Sequence, residues 1–489
     1  MPRAVLPLLA LAAAALLAGC GRRDAQAIDV VIIGTAAPRL ADPAAGPLGA
    51  PQQVALQNMA QGLVRFDSRG EIIPGLAERW NVSDDGLSYV FRLGSGKWPD
   101  GRDIRARDIV RLLKRQLRAD SRNPLKDSLG AIEDVVAMTD RVIEIRLVAP
   151  RPNLLGLLAQ PEFGLTRDGI GTGPFMLDAD QPQPGWRALT YRKSVVDGPD
   201  VLERVRLRSA PAREAIALFA DGKARLVLGG TFTDLPLARR AELKRTVLRF
   251  DPAAGLFGLV PRRTSGPLAT PDARRLLGTA LERQALVAAL DVPGLAPRTS
   301  ILQAGLEGLP PPPVAPPPPV DQAARRAFLT GEAARLFGDG ERPTVRVRLP
   351  EGPGADLLLA RLRADWGVLG LTVERATAGG PSDFVLLDAV APTSSPAWFV
   401  RQFRCAVTPV CSKDADGLMD SGRLAIVAAQ RAAFLAEAAR LLDEQTAFIA
   451  IAAPIRWSLV DDRLPGFQEN IVARHPLVGI DKQARRESD

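Results

Sequence analysis

Histidine is almost absent from this chain of 489 residues, in which His475 is the only one. A zinc or nickel site built from two or more histidines is therefore excluded. A Ser-His-Asp triad would have to use His475, and no G-x-S-x-G segment supplies a matching nucleophile. We predict that His475 is a surface or packing residue, and that the chain has no catalytic residue, no metal and no other cofactor.

Long hydrophobic runs are also lacking, because the longest covers only about 16 residues, Ala4 to Gly19, where a membrane-spanning helix needs roughly 20. With Arg3 before it and small residues at its end, this run is typical of a secretory signal. Its last residues, followed by Cys20, resemble the lipobox of bacterial lipoproteins. The resemblance implies a signal peptide over 1–19, a lipid on the Cys20 sulfur and a tether over 20–27, with acyl chains as the membrane anchor.

Cysteine is scarce, with three in the chain, and the other two form the pair in RCAVTPVC, Cys405 and Cys411. In an exported protein, two nearby cysteines are more often joined than free. A metal site would need further soft ligands nearby, and there are none. We therefore expect a disulfide between Cys405 and Cys411.

Charge of one sign does not dominate, although the formal net charge is +8. Basic residues are spread along the chain beside acidic ones, without a basic run interleaved with aromatics, so nucleic-acid binding is not expected. The excess is either a compositional habit or an attraction to anionic lipid. With 46% apolar and 24% charged residues, the composition is that of a globular protein with room for two or three domains.

Strand and helix patterns alternate along the chain, which indicates an α/β fold. The apolar run at 28–35 predicts a buried strand, and Ser-Asp-Asp-Gly at 83–86 predicts a turn. Apolar spacing predicts an amphipathic helix over 106–117. A capping Thr followed by Pro predicts a single helix over 270–290, and residues 447–459 have the pattern of one last apolar strand.

The segment from Gly62 to Arg115 resembles the signature stretch of the family 5 extracellular solute-binding proteins, which are the peptide- and nickel-type binding proteins of ABC importers. GTGPF at 171–175, the segment DARRLLGTALERQALV and PIRWSLV follow in family order. The positions that match the signature are Pro74, Leu76, Ala77, Trp80, Ser83, Asp84, Asp85, Gly86, Tyr89, Phe91, Leu93, Asp100, Gly101, Ala106 and Asp108.

The resemblance implies a two-lobed periplasmic-binding-protein fold (type II, cluster C-like) with an extra subdomain in the first lobe. We expect the first lobe over 28–249, with the subdomain inserted at about 51–169. The second lobe would cover 250–451, and 452–489 would return to the first lobe. Such lobes close on a ligand by a hinge motion.

Peptide-binding members of the family pair the peptide's ammonium group with an Asp, and alignment on Pro396 puts Pro392 at that position. Asp388, four residues earlier, is the candidate substitute, because a buried ammonium needs a counter-charge. The alternatives for the other candidates are core packing for the two aromatics and a solvated surface for the two arginines. These further ligand-binding candidates are Trp398, Phe399, Arg401 and Arg404.

The function that the resemblance implies is that of a lipid-anchored binding component of an ABC importer, on the periplasmic side of a bacterial membrane. It would capture a small solute, foremost a peptide or peptide-like one, and deliver it to permease subunits as a monomer. One alternative is an accessory or chaperone-like lipoprotein that kept the fold without transport. The other is a carboxylate-based hydrolase, which the sparse histidine disfavours.

Overall fold

A computed structural model describes residues 27–178, 185–193, 201–312, 321–338 and 342–482. The predicted signal and Cys20 lie outside the described residues. The described strands are β1 (Ile28–Ile33), β2 (Val64–Phe66), β3 (Ile72–Pro74), β4 (Ala77–Val82), β5 (Ser88–Leu93), β6 (Ile132–Thr139), β7 (Val142–Leu147), β8 (Thr166–Arg167), β9 (Ile170–Gly171), β10 (Met176–Leu177), β11 (Arg187–Lys193), β12 (Val201–Ala210), β13 (Leu226–Thr231), β14 (Leu248–Phe250), β15 (Gly255–Pro261), β16 (Thr344–Arg348), β17 (Thr372–Arg375), β18 (Phe384–Val390), β19 (Ile449–Ala452) and β20 (Arg456–Val460).

The described helices are α1 (Ala50–Met59), α2 (Ala106–Leu117), α3 (Leu154–Leu158), α4 (Ala212–Ala220), α5 (Leu235–Arg240), α6 (Pro271–Ala280), α7 (Arg283–Leu290), α8 (Gln322–Phe337), α9 (Pro353–Gly367), α10 (Pro396–Arg401), α11 (Lys413–Leu424) and α12 (Ala428–Glu444). Among these, none has the length and apolar character to cross a membrane.

Seven strands form a first sheet in the order β10-β11-β12-β1-β13-β20-β14. The predicted strand at 28–35 is confirmed as β1, which pairs in parallel with β12 and β13. Its Val30, Val31 and Ile32 are fully buried, as expected of a continuous apolar strand covered on both faces. Since β20 comes from near the carboxyl end, distant parts of the chain build this sheet.

Five strands form a second sheet in the order β17-β16-β18-β15-β19. All residues of β15 are buried between its antiparallel neighbours β18 and β19. Helix α9 packs nearby through Trp366, which is fully buried and donates from Nε1 to the Leu277 carbonyl oxygen at 3.0 Å. A satisfied indole N–H is what allows a tryptophan to lie in a core.

A third sheet, antiparallel in the order β4-β5-β7-β6, shares one apolar core with helices α2 and α3, and we call this unit, residues 77–158, the inserted subdomain. The predicted turn at 83–86 is confirmed, with Gly86 at φ +69° and the Asp85 carboxylate accepting the Leu87 N–H at 2.9 Å. The predicted helix is confirmed as α2, whose Ile109 and Leu113 are buried. Local sequence signals therefore sufficed for this unit.

The prediction of one helix over 270–290 was wrong, because α6 ends at Ala280 and α7 begins at Arg283. Leu281 is extended, with ψ 117°, and the Glu282 N–H donates to the Asp365 carboxylate at 2.8 Å instead of to a helical carbonyl. A long-range contact to α9 thus ends the helix where propensity alone would continue it.

The prediction of one last strand over 447–459 was also wrong, because the segment forms β19 in the second sheet and β20 in the first. Pro454 lies between them and has no N–H for a sheet hydrogen bond. The chain also crosses from the first sheet to the second between β14 and β15. We propose that these two crossings join a first lobe, built on the first sheet, to a second lobe built on the second.

The two sheets share one continuous apolar core at the crossings. Phe232, after β13, packs on Phe257 of β15 with ring centroids 4.8 Å apart. The start of α9 also reaches the first lobe, where the Gly354 N–H donates to the Thr233 carbonyl oxygen at 2.8 Å. Packed apolar side chains therefore join the two lobes at the crossings.

Candidate functional site

A cavity of about 130 Å³ lies between the inserted subdomain and the second lobe. The subdomain side includes Arg151 and Asn153, and the other side includes the segment that follows β18 and residues of α11 and α12. This cavity is the candidate ligand-binding site, because it is bounded by two units that are distant in sequence.

Helix α10 carries part of the cavity wall. It begins at Pro396, whose fixed φ suits a first helical position. Trp398 and Arg401, three residues apart and so on one face, both line the cavity, and Arg404 follows just beyond the helix. The structure joins Cys405 to Cys411 in a disulfide, which ties down the loop next to Arg404.

Five arginines line the cavity, and they differ in their partners. Arg404 lies 2.7 Å from the Asp420 carboxylate and 3.7 Å from that of Asp416. Arg423 is 3.9 Å from Asp420. Arg404 is therefore neutralised by its neighbouring carboxylates, whereas Arg423 is neutralised only weakly.

The other three arginines are held by backbone carbonyl oxygens. Arg401 donates to that of Asp127, and Arg151 to that of Arg423. Arg431 donates from Nη1 to the carbonyl oxygen of Pro150 at 3.1 Å. Each of these bonds links the subdomain to the second lobe. Within the described ranges, no carboxylate lies within 4.0 Å of any of the three guanidinium groups.

Burial of the arginines lowers the pKa of two guanidinium groups in the cavity, and repulsion between the arginines adds to this effect. Burial lowers the pKa of Arg151 to about 10, with repulsion from other arginines, Arg431 foremost, as the next cause. Burial likewise lowers the pKa of Arg401 to about 10, opposed by the Asp127 carboxylate. Both groups stay charged at neutral pH, so the cavity holds positive charge that is incompletely compensated.

Among the described residues that line the cavity, Glu307 is the one acidic residue, and its carboxylate accepts from Asn153 Nδ2 at 3.0 Å. Tyr89 lies close by, donating from its hydroxyl to the Arg151 carbonyl oxygen at 2.8 Å. Burial, and after it the charge of Glu307, raises the pKa of Tyr89. The cavity thus offers one anionic position among several cationic ones.

Of the residues named from sequence, the structure brings Trp398, Arg401 and Arg404 together at the cavity. Phe399 is instead fully buried in the core behind Trp398, in an edge-to-face contact with ring centroids 5.1 Å apart. Asp388 forms an ion pair with Arg456, at 2.8 Å, outside the cavity lining. Phe399 therefore packs in the core, which was the alternative to ligand binding. Asp388 is the counter-charge of Arg456.

Asp388 belongs to a second polar cluster, which links the lobes. Burial raises the pKa of the Asp388 carboxyl even though Arg456 opposes this. Nearby, the carbonyl oxygen of Pro392 accepts from Gln160 Nε2 at 2.9 Å. Gln160 in turn accepts from Arg474, whose pKa burial lowers. Pro392, predicted from sequence to align with the ammonium-binding position, thus lies against the side chain of Gln160.

Four charged cavity residues escaped the sequence-based prediction, namely Arg151, Glu307, Arg423 and Arg431. They come from three segments far apart in the chain, and no spacing or motif connects them. Arginine is common throughout this sequence, so composition could not single these out. Only the approach of the subdomain to the second lobe identifies them.

Comparison with known proteins identifies the family. The sequence model described as bacterial extracellular solute-binding proteins, family 5, middle part, matches residues 71–376. The chain belongs to this family. The resemblance seen in the signature stretch is thereby confirmed, and the family is one of solute binding.

Relatives extend along most of the chain. A probable di/tripeptide-binding protein 5 of Pseudomonas aeruginosa is 25% identical over 483 residues, covering 84% of this chain and 88% of its own. OppA of Burkholderia pseudomallei superposes with a TM-score of 0.79 at 15% identity, over 93% of this chain and 99% of that one. Haemophilus influenzae OppA, in complex with RPPGFSPFR, gives 0.77 at 16% identity, over 93% and 98%. The two-lobed α/β fold is confirmed by these structures.

Proposed function

We propose that this chain is the binding component of an ABC importer, which captures a short peptide or peptide-like solute and delivers it to permease subunits. The observation that carries the proposal is the partly closed cavity between the subdomain and the second lobe, with Glu307 and several arginines on its wall. A free peptide has one ammonium and one carboxylate group, and the cavity has a partner for each.

Hinge closure fits the contacts that surround the cavity. Asn153 with Glu307, and Arg431 with the Pro150 carbonyl oxygen, join the two sides directly. If the lobes part, these bonds break, while the apolar core at the crossings stays packed. A ligand that bridges the two sides would favour the closed state through its differential affinity for it.

Peptide capture is testable with the full chain purified in detergent. We expect native mass spectrometry to detect complexes with dipeptides, and a ligand at a thousandfold excess over its Kd to stabilise the protein by about 4 kcal/mol. Glu307→Gln should weaken binding of dipeptides with a free amino group roughly 10- to 100-fold, because it removes a charged hydrogen-bond acceptor. Binding of N-acetylated dipeptides should change little.

The matched control is Glu437→Gln, an exposed position on α12 that pairs with Arg440 and should leave all affinities unchanged. If no dipeptide binds under any condition, the proposed function is wrong. If N-acetylated and free dipeptides bind equally well to the unmodified chain, the role of Glu307 as the ammonium partner is wrong.

We also propose that the chain is anchored on the periplasmic side through lipid on Cys20. We expect Cys20→Ala, expressed as the full chain in a lipoprotein-processing bacterium, to move from the membrane fraction to the soluble fraction. Acyl chains contribute about 0.8 kcal/mol per buried methylene, so their loss removes the anchor. Gly21→Ala, which keeps the cysteine, is the control. A Cys20→Ala protein that stays in the membrane fraction contradicts the anchor.

A further inference from the structure

The positive charge of the candidate cavity restricts the class of ligand further than membership of the family does. This inference rests on the proposed function, since it concerns the solute bound at the same site. Arg151, Arg401 and Arg431 face the cavity from the subdomain, from α10 and from α12. Their positive charges meet from three directions in a space of about 130 Å³.

Nearby acids do not cancel this charge. Asp416 and Asp420 are engaged by Arg404. The Asp127 carboxylate acts on Arg401 from a distance, while only the Asp127 carbonyl oxygen accepts its hydrogen bond. Glu307 is on the wall, and its charge favours the charged form of Arg151, but one carboxylate cannot compensate three guanidinium groups.

The same three guanidiniums keep unused donors. Arg431 uses only Nη1 in its hydrogen bonds to the described chain, to the carbonyl oxygens of Pro150 and Ala425. Arg401 uses Nε and Nη1, and Arg151 uses its two Nη atoms. Because an arginine has five N–H donors in a planar fork, each has hydrogens left for a carboxylate.

Incompletely compensated cations in a partly closed site favour an anionic occupant. A charge taken out of water without a partner is costly, and a carboxylate that supplies charge-assisted hydrogen bonds relieves that cost. One carboxylate, the carboxyl end of a neutral peptide, would compensate one of the three guanidinium charges and leave two, because the ammonium group takes up the charge of Glu307.

We infer that the solute is an acidic peptide or peptide-like molecule with net negative charge, whose additional carboxylate is bound by Arg151, Arg401 and Arg431 while its ammonium group faces Glu307.

The test compares Glu-Glu, Gln-Gln and Lys-Lys by calorimetry on the full chain in detergent. Glu-Glu and Gln-Gln are nearly equal in size and differ in side-chain charge. We expect Glu-Glu to bind roughly 10- to 100-fold more tightly than Gln-Gln, because hydrogen bonds to charged groups are the stronger ones. Lys-Lys should bind most weakly, and added salt should reduce the difference.

Variants of Arg431 test whether the arginines cause the preference for Glu-Glu over Gln-Gln. Arg431→Gln should weaken Glu-Glu binding much more than Gln-Gln binding and so remove most of the preference, whereas Arg431→Lys should retain part of it. Arg440→Gln, on the same helix but exposed and paired with Glu437, should have no effect.

The outcomes separate this inference from the proposed function. If Gln-Gln and Glu-Glu bind equally to the unmodified chain, the inference is overturned and the proposed function stands. If none of the three peptides nor any other dipeptide binds, both are overturned. If Arg431→Gln weakens both peptides alike, Arg431 only holds the subdomain to the second lobe, and its role in the preference is overturned.

Discussion

Replacing Asp443 by asparagine is expected to make the protein more stable above pH 7, by an amount that shrinks towards pH 4. Asp443 lies on α12, and burial raises the pKa of its carboxyl from 3.8 to about 7, although the Ile301 N–H donates to it and opposes the rise. Asparagine keeps an oxygen for that N–H and carries no charge, so it avoids the cost of ionising a buried acid.

The direction of this pH dependence follows from the linkage between proton binding and folding. A folded-state pKa above the unfolded value means that the native protein binds the proton more tightly. The contribution of Asp443 to stability is therefore full below about pH 4 and is lost as the pH rises to about 7. Each pKa unit corresponds to about 1.4 kcal/mol, so the loss is on the order of 2–4 kcal/mol for a partly buried group.

Denaturant unfolding of the wild type and Asp443→Asn from pH 4.5 to 8.5 measures this difference. Asp462→Asn, at an exposed carboxylate of the first lobe, serves as the control and should show no such trend. A constant difference between Asp443→Asn and the wild type across this range would contradict a raised pKa at Asp443.

Replacing Gly354 by alanine is expected to destabilise the protein by about 2–3 kcal/mol. A Cβ at this position would overlap the Phe232 carbonyl oxygen and lie 2.8 Å from its carbonyl carbon, where α9 touches the first lobe. Alanine would by itself favour a helix by up to ~1 kcal/mol over glycine. The clash is with backbone, which cannot rotate away, so it outweighs that gain.

Gly367→Ala is the matched control, because Gly367 lies in the same helix and a Cβ there would meet no atom within 4 Å. This variant should be neutral or slightly stabilising. Unfolding midpoints of the two variants, measured side by side, separate helix propensity from close packing. Equal stability of Gly354→Ala and the wild type would mean that the helix does not pack this closely on the first lobe.

Sequence signals worked where the deciding interactions are local. The strand β1, the turn at 83–86 and the helix α2 were predicted, since a continuous apolar run, turn residues and apolar spacing act within a few residues. The same signals failed at 270–290 and at 447–459. There, Asp365 ends a helix from a distance, and Pro454 marks a crossing between two sheets rather than a defect in one strand.

The residues of the candidate site were likewise predictable only where a local sequence element places them. Helix α10 follows β18 directly in the chain, so its Trp398 and Arg401 could be named from sequence. Asp388 belongs to the same stretch, but the structure pairs it with Arg456, which lies 68 residues away in sequence.

The sequence by itself determined the family, the α/β class and the local elements, because each rests on short-range patterns or on a contiguous signature. Tertiary structure alone decided which residues surround the cavity. Arg151, Glu307 and Arg431 meet there because the inserted subdomain packs against the second lobe, and no local pattern encodes a contact between segments more than a hundred residues apart. The charge of the cavity, and with it the expected ligand, follows from that packing.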